Sequence, residues 1–187
     1  NKKGDKMPKD VLFILNKLNE EGFEAYIVGG CVRDKLLGLI PHDYDITTSA
    51  EPQEIKRVFK DFKTILIGEE FGTIGILIDE TLYEVTTFRI DGKYKNFRKP
   101  ENVIFSKNLV EDLKRRDFTI NAMAMDSKGE LYDPFGGKND LEDKVLRAVG
   151  RPNERLKEDA IRILRAIRFA GRLNLYIDDD LFDAISF

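Results

Sequence analysis

Asp43 and Asp45 are separated by a single residue in the segment Pro41-His42-Asp43-Tyr44-Asp45-Ile46. On a strand, residues two apart face the same side, so this spacing points two carboxylates together. Like charges that close oppose each other's ionisation unless a cation sits between them. A hard ion such as Mg2+ takes oxygen ligands and keeps waters for phosphate-bearing substrates. The same spacing also suits two solvated acids on an edge strand or turn. About a dozen residues earlier, Gly29-Gly30-Cys31-Val32-Arg33-Asp34 follows an apolar run and opens a helical one. Glycines at such a turn let backbone N–H groups approach a phosphate, the helix start adds partial positive charge, and Arg33 adds a charged donor. A tight strand-to-helix turn with a surface arginine is the plain alternative. Glu84, within the β-prone run Tyr83 to Phe88, supplies a third acid, either on a solvated face or aimed at a site.

Two basic stretches follow. Lys114-Arg115-Arg116-Asp117-Phe118 reads either as a solvated helix end, where cations complement the dipole, or as a clamp on triphosphate or ribose. In the run Glu158 to Phe169, Ala160, Ile163, Leu164 and Ile167 form one apolar side, while Glu158, Arg162 and Arg165 align opposite. Asp159 and Arg162 are helix neighbours. They form either a surface ion pair or a paired acceptor and donor able to hydrogen-bond a nucleobase edge. His42 reads as local polar structure, and Cys31 as a small apolar packer.

The elements that must position these groups are short. Pro8 to Glu21 has helical periodicity, Ala25 to Val28 is a buried strand, and Cys31 to Leu37 is helical. Asp43 to Ile46 reads as a strand and Pro52 to Phe59 as a helix with proline near its start. Strands over Thr64–Ile67, Thr73–Ile78 and Leu82–Phe88 come next, the last two close enough to make an antiparallel hairpin. Asp91 to Pro100 is a polar loop, Leu109 to Lys114 a short helix, and Ala122–Met125 and Val145–Ala148 are short strands. A long helix spans about Asn153 to Leu173. This order argues against a regular βαβ sheet and for an α+β fold: a small mixed or antiparallel sheet with packed helices, then a helical segment. Residues 1–150 form the first domain and 151–187 the start of the second. Asp178 to Asp180 caps a helix that stops after about two turns, and isolated helices that short are marginal, so the expectation is a chain cut inside a larger helical region.

Composition narrows the chemistry. The 187 residues are 42% hydrophobic and 35% charged, enough apolar material for a core. With 31 Lys and Arg against 34 Asp and Glu, a globally basic coat is excluded, though a local basic patch is not. One cysteine and one histidine exclude an intramolecular disulfide framework, a cysteine-rich zinc site and a histidine cluster, leaving carboxylates as metal ligands. No apolar run approaches the ~18 residues of a membrane span, and the polar start lacks a signal peptide's apolar stretch. The expected setting is the cytoplasm, with no membrane contact.

Taken together, the motifs resemble those of the class II CCA-adding enzymes and the related bacterial poly(A) polymerases, in the DNA polymerase β-like nucleotidyltransferase superfamily. Tyr26 to Gly38 resembles the family's glycine motif, Asp43 to Asp45 its metal-binding pair, and Arg115 to Ala124 its ribose-discriminating motif. Asp133 to Gly137 also fits, and Glu158 to Arg162 resembles its nucleobase-templating motif. The resemblance implies a nucleotidyltransferase head followed by a helical neck. It implies template-independent transfer of CMP and AMP from CTP and ATP to a tRNA 3′ end, with Asp43 and Asp45 holding two Mg2+ ions and Glu84 as candidate third catalytic acid. Gly29, Gly30, Arg33 and Asp34 would serve the phosphates, and Arg116, Asp117 and Asn121 the ribose side. Glu158, Asp159, Arg162 and Arg165 would read the base. Loop 91–100 resembles the loop needed for switching to AMP addition, with Asn96 where relatives often have an acid. An A-adding enzyme or poly(A) polymerase with the same head, and a nucleotide- or RNA-binding fragment without turnover, are the competing readings.

Overall fold

The computed structural model describes residues 6–68, 71–91, 94–95, 99–100, 103–150, 168 and 171–185. Helix α1 (Lys9–Glu20) puts Val11, Ile14, Leu15 and Leu18 on one face, and all four are fully buried. Strand β1 (Ala25–Val28), helix α2 (Gly30–Leu36), strand β2 (Asp45–Thr48) and helix α3 (Pro52–Val58) follow. Proline opens α3, where a missing N–H costs nothing, and Glu51 and Glu54 close a reciprocal capping box around it. Strands β3 (Lys63–Gly68), β4 (Thr73–Ile78) and β5 (Thr81–Thr87) form a meander. Asp79 and Glu80, at φ 45° and 69°, make the two-residue turn between β4 and β5; two left-handed residues match the twist of a tight hairpin.

Beyond β5, strands β6 (Arg89–Asp91), β7 (Tyr94–Lys95), β8 (Lys99–Pro100) and β9 (Val103–Phe105) form two short antiparallel ladders, β6 with β9 and β7 with β8. The stretch expected as a polar loop thus carries a backbone ribbon. Helix α4 (Leu109–Lys114), a single 3-10 turn (Thr119–Asn121), strands β10 (Ala124–Met125) and β11 (Leu131–Tyr132), helix α5 (Gly137–Glu142) and strand β12 (Val145–Leu146) complete the first part. Strand β13 (Tyr176–Ile177) pairs in parallel with β12 and leads into helix α6 (Asp179–Ile185), where the Asp178 carboxylate accepts from Leu181 N. The expected long helix, with Glu158, Asp159, Arg162 and Arg165, lies outside the described residues apart from Arg168 and its last turn at 171–172.

The main sheet runs β11-β10-β1-β2-β5-β4-β3, antiparallel except where β2 and β5 lie parallel. This is the α+β mixed sheet the sequence implies. Alternation divides its two faces. Ala25, Ile27, Ile46, Ile74, Ile76 and Val85 pack with α1 and α3 on one side. Tyr26 and Val28 face the other way, into a second cluster with Phe88, Leu109, Leu113 and Ala124. Among the described residues no helix is long and apolar enough to cross a membrane.

One expectation is corrected. Strand β2 begins at Asp45, not Asp43. The β1–β2 ladder ends on the pair Val28–Asp45, because Gly29 at φ 81° turns the neighbouring chain into α2. Asp43 has no rung to join and precedes the strand as an exposed residue.

Tight packing also fixes α5. A Cβ on Gly137 would run into the Thr119 carbonyl, with Met123 Cγ at 3.1 Å, whereas one on Gly171 meets nothing within 4 Å. Gly137→Ala should therefore cost about 1–3 kcal/mol of overpacking. Gly171→Ala, in a helix with open space, should be neutral or stabilising by up to about 1 kcal/mol. Denaturant midpoints of the two variants check this, and equal midpoints would contradict it.

Candidate functional site

Two strands, β2 and β5, bring Asp45 and Glu84 to one face. Asp45 stands opposite Val28, and Glu84 stands opposite Gly75. Because Ile46 pairs with Val85, Asp45 and Glu84 occupy neighbouring positions one residue earlier, on the face away from the α1–α3 core. Asp43, Asp45 and Glu84 border one cavity of about 510 Å³, together with His42, Tyr44 and Tyr83. Glu84 lines the same cavity as the aspartate pair. Among the described residues no three His, Cys, Asp or Glu side chains gather as a metal centre. The residues that could hold a cation here are the aspartate pair.

The charges fit that role. Although accessible to solvent, Asp45 has lost enough surrounding water that its pKa is raised; Arg116 nearby lowers it and the Asp43 charge raises it again. An oxygen-only donor pair that resists sharing negative charge suits a hard divalent cation. Cys31 plays no part in such chemistry. Its thiol is buried, donates to the Val28 carbonyl at 3.3 Å, and is pushed up to about 11 by burial. It packs in the core as expected.

The glycine turn sits beside the acids. Gly29 is buried at positive φ, and a Cβ there would lie 3.5 Å from Arg116 Nη1. A side chain would therefore fill the space between the turn and the guanidinium. Arg33 folds back over Gly30 and is well engaged: Nη1 donates to Asn121 Oδ1 at 2.7 Å, and Nε and Nη2 donate to Asp34 Oδ1 at 3.2 and 3.1 Å. Asp34 and Asn121 therefore orient Arg33, tying α2 to the 3-10 turn. Asp117 is half-buried and accepts from the Phe118 N–H at 2.8 Å. Asp133, in the motif before α5, caps that helix by accepting from Gly137 N and Lys138 N.

The basic run is no solvated helix end. The Arg115 and Arg116 side chains are only 17% and 19% exposed, and both donate to Asp112, which is fully buried. Burial and the neighbouring Arg115 lower the pKa of Arg116, while Asp112 and then Asp45 raise it. Sequence reasoning missed Asp112, which holds the arginine pair from behind, and Thr47, which donates to Asp112. The signal was present: Asp112 precedes Arg115 by three and Arg116 by four, the spacing of facing helix neighbours, and Thr47 shares the Asp45 face of β2.

An acid pair at the start of a strand, beside a glycine turn and an arginine, on a mixed sheet backed by helices, defines a DNA polymerase β-like nucleotidyltransferase head. Comparison with known proteins narrows that class. Residues 25–147 match the family model described as the Poly A polymerase head domain, and the chain belongs to that family. It is 52% identical over 177 residues to the CCA-adding enzyme of Ligilactobacillus salivarius, and 50% identical over 178 residues to that of Enterococcus faecalis, in each case covering 95% of this chain and 43% of the relative. The Bacillus stearothermophilus CCA-adding enzyme in complex with CTP superposes with a TM-score of 0.84 at 41% identity, over 95% of this chain and 43% of that one. A tRNA nucleotidyltransferase complexed with a primer tRNA and an incoming ATP analogue gives 0.73 at 36% identity, over 92% and 48%. The chain thus spans less than half the length of the curated relatives it matches.

The raised Asp45 pKa has a definite sign. Ionising a carboxyl that the fold holds above its ordinary value costs stability as pH rises from about 4 through the raised value, and a bound cation removes that cost. Thermal stabilisation by Mg2+ or Mn2+ should therefore grow from about pH 4 to pH 7. At about 100 times its Kd, a cation that binds only the folded state contributes about 2.7 kcal/mol. Melting curves with and without cation test this. An Asp43→Asn/Asp45→Asn protein that gains as much as wild type would overturn the assignment.

Proposed function

We propose that this chain is the catalytic head of a template-independent tRNA nucleotidyltransferase that adds CMP and AMP, from CTP and ATP, to the tRNA 3′ end. The observation that carries the reading is the Asp43–Asp45 pair at one cavity, with Arg116 close to both Asp45 and the Gly29 turn, in a chain about half identical to CCA-adding enzymes. The reaction joins the RNA 3′-hydroxyl oxygen to the α-phosphorus of the nucleotide and breaks its bond to pyrophosphate.

In this proposal Asp43 and Asp45 hold divalent cations, Mg2+ in the cell, which when bound activate the hydroxyl and neutralise developing phosphate charge. The other steps belong to the chain's own side chains. Gly29 leaves room for phosphate oxygens beside its turn, and Arg116 presents its Nη1 edge to that same space. Arg33, braced by Asp34 and Asn121, adds a second cation above Gly30. Glu84 borders the cavity from β5 and is the candidate third carboxylate. Arg116 and Asp117 serve the ribose. Glu158, Asp159, Arg162 and Arg165 would read the base from the segment that follows. Residues 1–150 act as head and 151–187 as the start of the neck, and the cytoplasm, where tRNA matures, is the setting.

The family model's name keeps one second reading in play, a poly(A) polymerase with the same head. Incorporation of each nucleotide in turn by the full-length protein, on tRNA ending before CC, after the first C and before the last A, separates the two. The proposal expects C, C and A in order; processive ATP-only tailing of general RNA would support the second reading instead. Replacing Asp43 and Asp45 by alanine together should reduce incorporation at least about 1,000-fold, the scale of losing the groups that stabilise developing charge. A fully active double variant would sink both readings.

A further inference from the structure

Asp112 is buried behind β2, outside the lining of the cavity. Its carboxylate has no exposed surface, and four donors from three segments converge on it. Oδ2 accepts from Thr47 Oγ1 and from Arg116 Nη2, each at 3.2 Å. Oδ1 accepts from the Arg89 backbone N–H at 3.1 Å and from Arg115 Nε at 3.4 Å. Thr47 belongs to β2, two residues beyond Asp45 on the same face. Arg89 opens β6, the strand that leads into the 91–100 ribbon. Arg115 and Arg116 immediately follow α4, which carries Asp112 itself. One buried charge therefore ties the acid-bearing strand, the stem of the ribbon and the arginine pair to a single point.

The geometry at Arg116 gives this junction a use. A guanidinium is planar and rigid, so fixing one terminal nitrogen sets the direction of the other. Nη2 is held by Asp112, while Nη1 faces the Gly29 turn at 3.5 Å from a Cβ position there. We propose that Asp112 is a positioning residue for nucleotide binding: it anchors one edge of Arg116 so that the other edge meets the triphosphate between the glycine turn and Asp45. It acts through Arg116 and touches no substrate. The inference rests on the proposed function, since it assumes that a nucleotide occupies that space.

The test is Asp112→Asn in the full-length protein, which keeps size and one carbonyl oxygen but removes the charge that two arginines share. KM for CTP and for ATP should rise by the same factor, about tenfold, the scale of one hydrogen bond to a charged group. kcat should change less than about threefold, and KM for the RNA should not move. A residue that only supports the fold would lower the amount of active enzyme, reducing kcat and leaving the nucleotide KM unchanged; that result overturns the proposal. If Asp112→Asn does not fold, Thr47→Val keeps the carboxylate but loosens the oxygen that Arg116 uses. It should shift the nucleotide KM in the same direction by about threefold, and an unmoved KM overturns the proposal. Calorimetric binding of CTP without RNA separates the two layers. A weakened Kd in the variant sustains the role of Asp112 even where the wild-type protein transfers nothing, an outcome that would end the proposed function alone.

Discussion

Strands β1 and β2 stop pairing at the rung Val28–Asp45, and the site is organised around that ending. On one side of the rung the chain turns at Gly29 into α2; on the other it arrives from Asp43. A ladder two residues longer would draw Asp43 into the strand, and it would require extended backbone at position 29, where the structure has φ 81°, and at Gly30, where α2 begins. The turn then could not open toward Arg116. A single backbone event therefore sets the distance between two carboxylates, a glycine turn and a cation. The remaining strands of the sheet serve to hold that rung rigid, with β1 buried on both faces between its neighbours β10 and β2.

Electrostatics reconciles a nearly neutral chain with the polyanionic substrates proposed for it. The net charge of −3 conceals a division of labour. Asp43 and Asp45 repel each other at the cavity, and that repulsion favours a divalent cation between them and phosphate. Arg33 and Arg116 stand close by, each kept in place by a carboxylate on its own side, Asp34 and Asp112. The acids that accompany the arginines do more than cancel charge. They hold long, flexible side chains in single orientations before any ligand arrives, which lowers the entropy lost on binding. The same device recurs away from the cavity, where Arg147 bridges Asp140 and Asp178 and so joins α5 to the start of α6.

Much of this was legible in the sequence because it is local. The hairpin at Asp79–Glu80, the proline start of α3, the strand-to-helix glycine turn and the Asp43–Asp45 spacing each depend on a handful of neighbouring residues. The mixed sheet followed from the order of those pieces. What was not legible depends on contacts distant in sequence. Nothing near Arg33 announces that its partner is Asn121, 88 positions away. Nothing near Asp43 shows that the ladder ends two rungs short of it, since that ending is set by Gly29, just beyond the neighbouring strand. From the residues alone, Arg115 and Arg116 could be either a solvated helix end, as charge runs usually are, or a clamp. Asp112 excludes the solvated end, and its helical spacing to both arginines was the available clue. Glu84 could be placed only once β2 and β5 were known to lie parallel in register.

The central claim is spatial: phosphate, cation and protein meet where β1 and β2 part. A crystal structure of the protein grown with CTP and Mn2+ tests it most directly, because the anomalous signal of manganese locates the metal independently of the model. The account predicts an anomalous peak within bonding distance of the Asp43 and Asp45 carboxylates, with the triphosphate lying against the Gly29 turn and the Nη1 edge of Arg116. Manganese held by other acids, or a triphosphate bound away from Gly29 and Arg116, would contradict it.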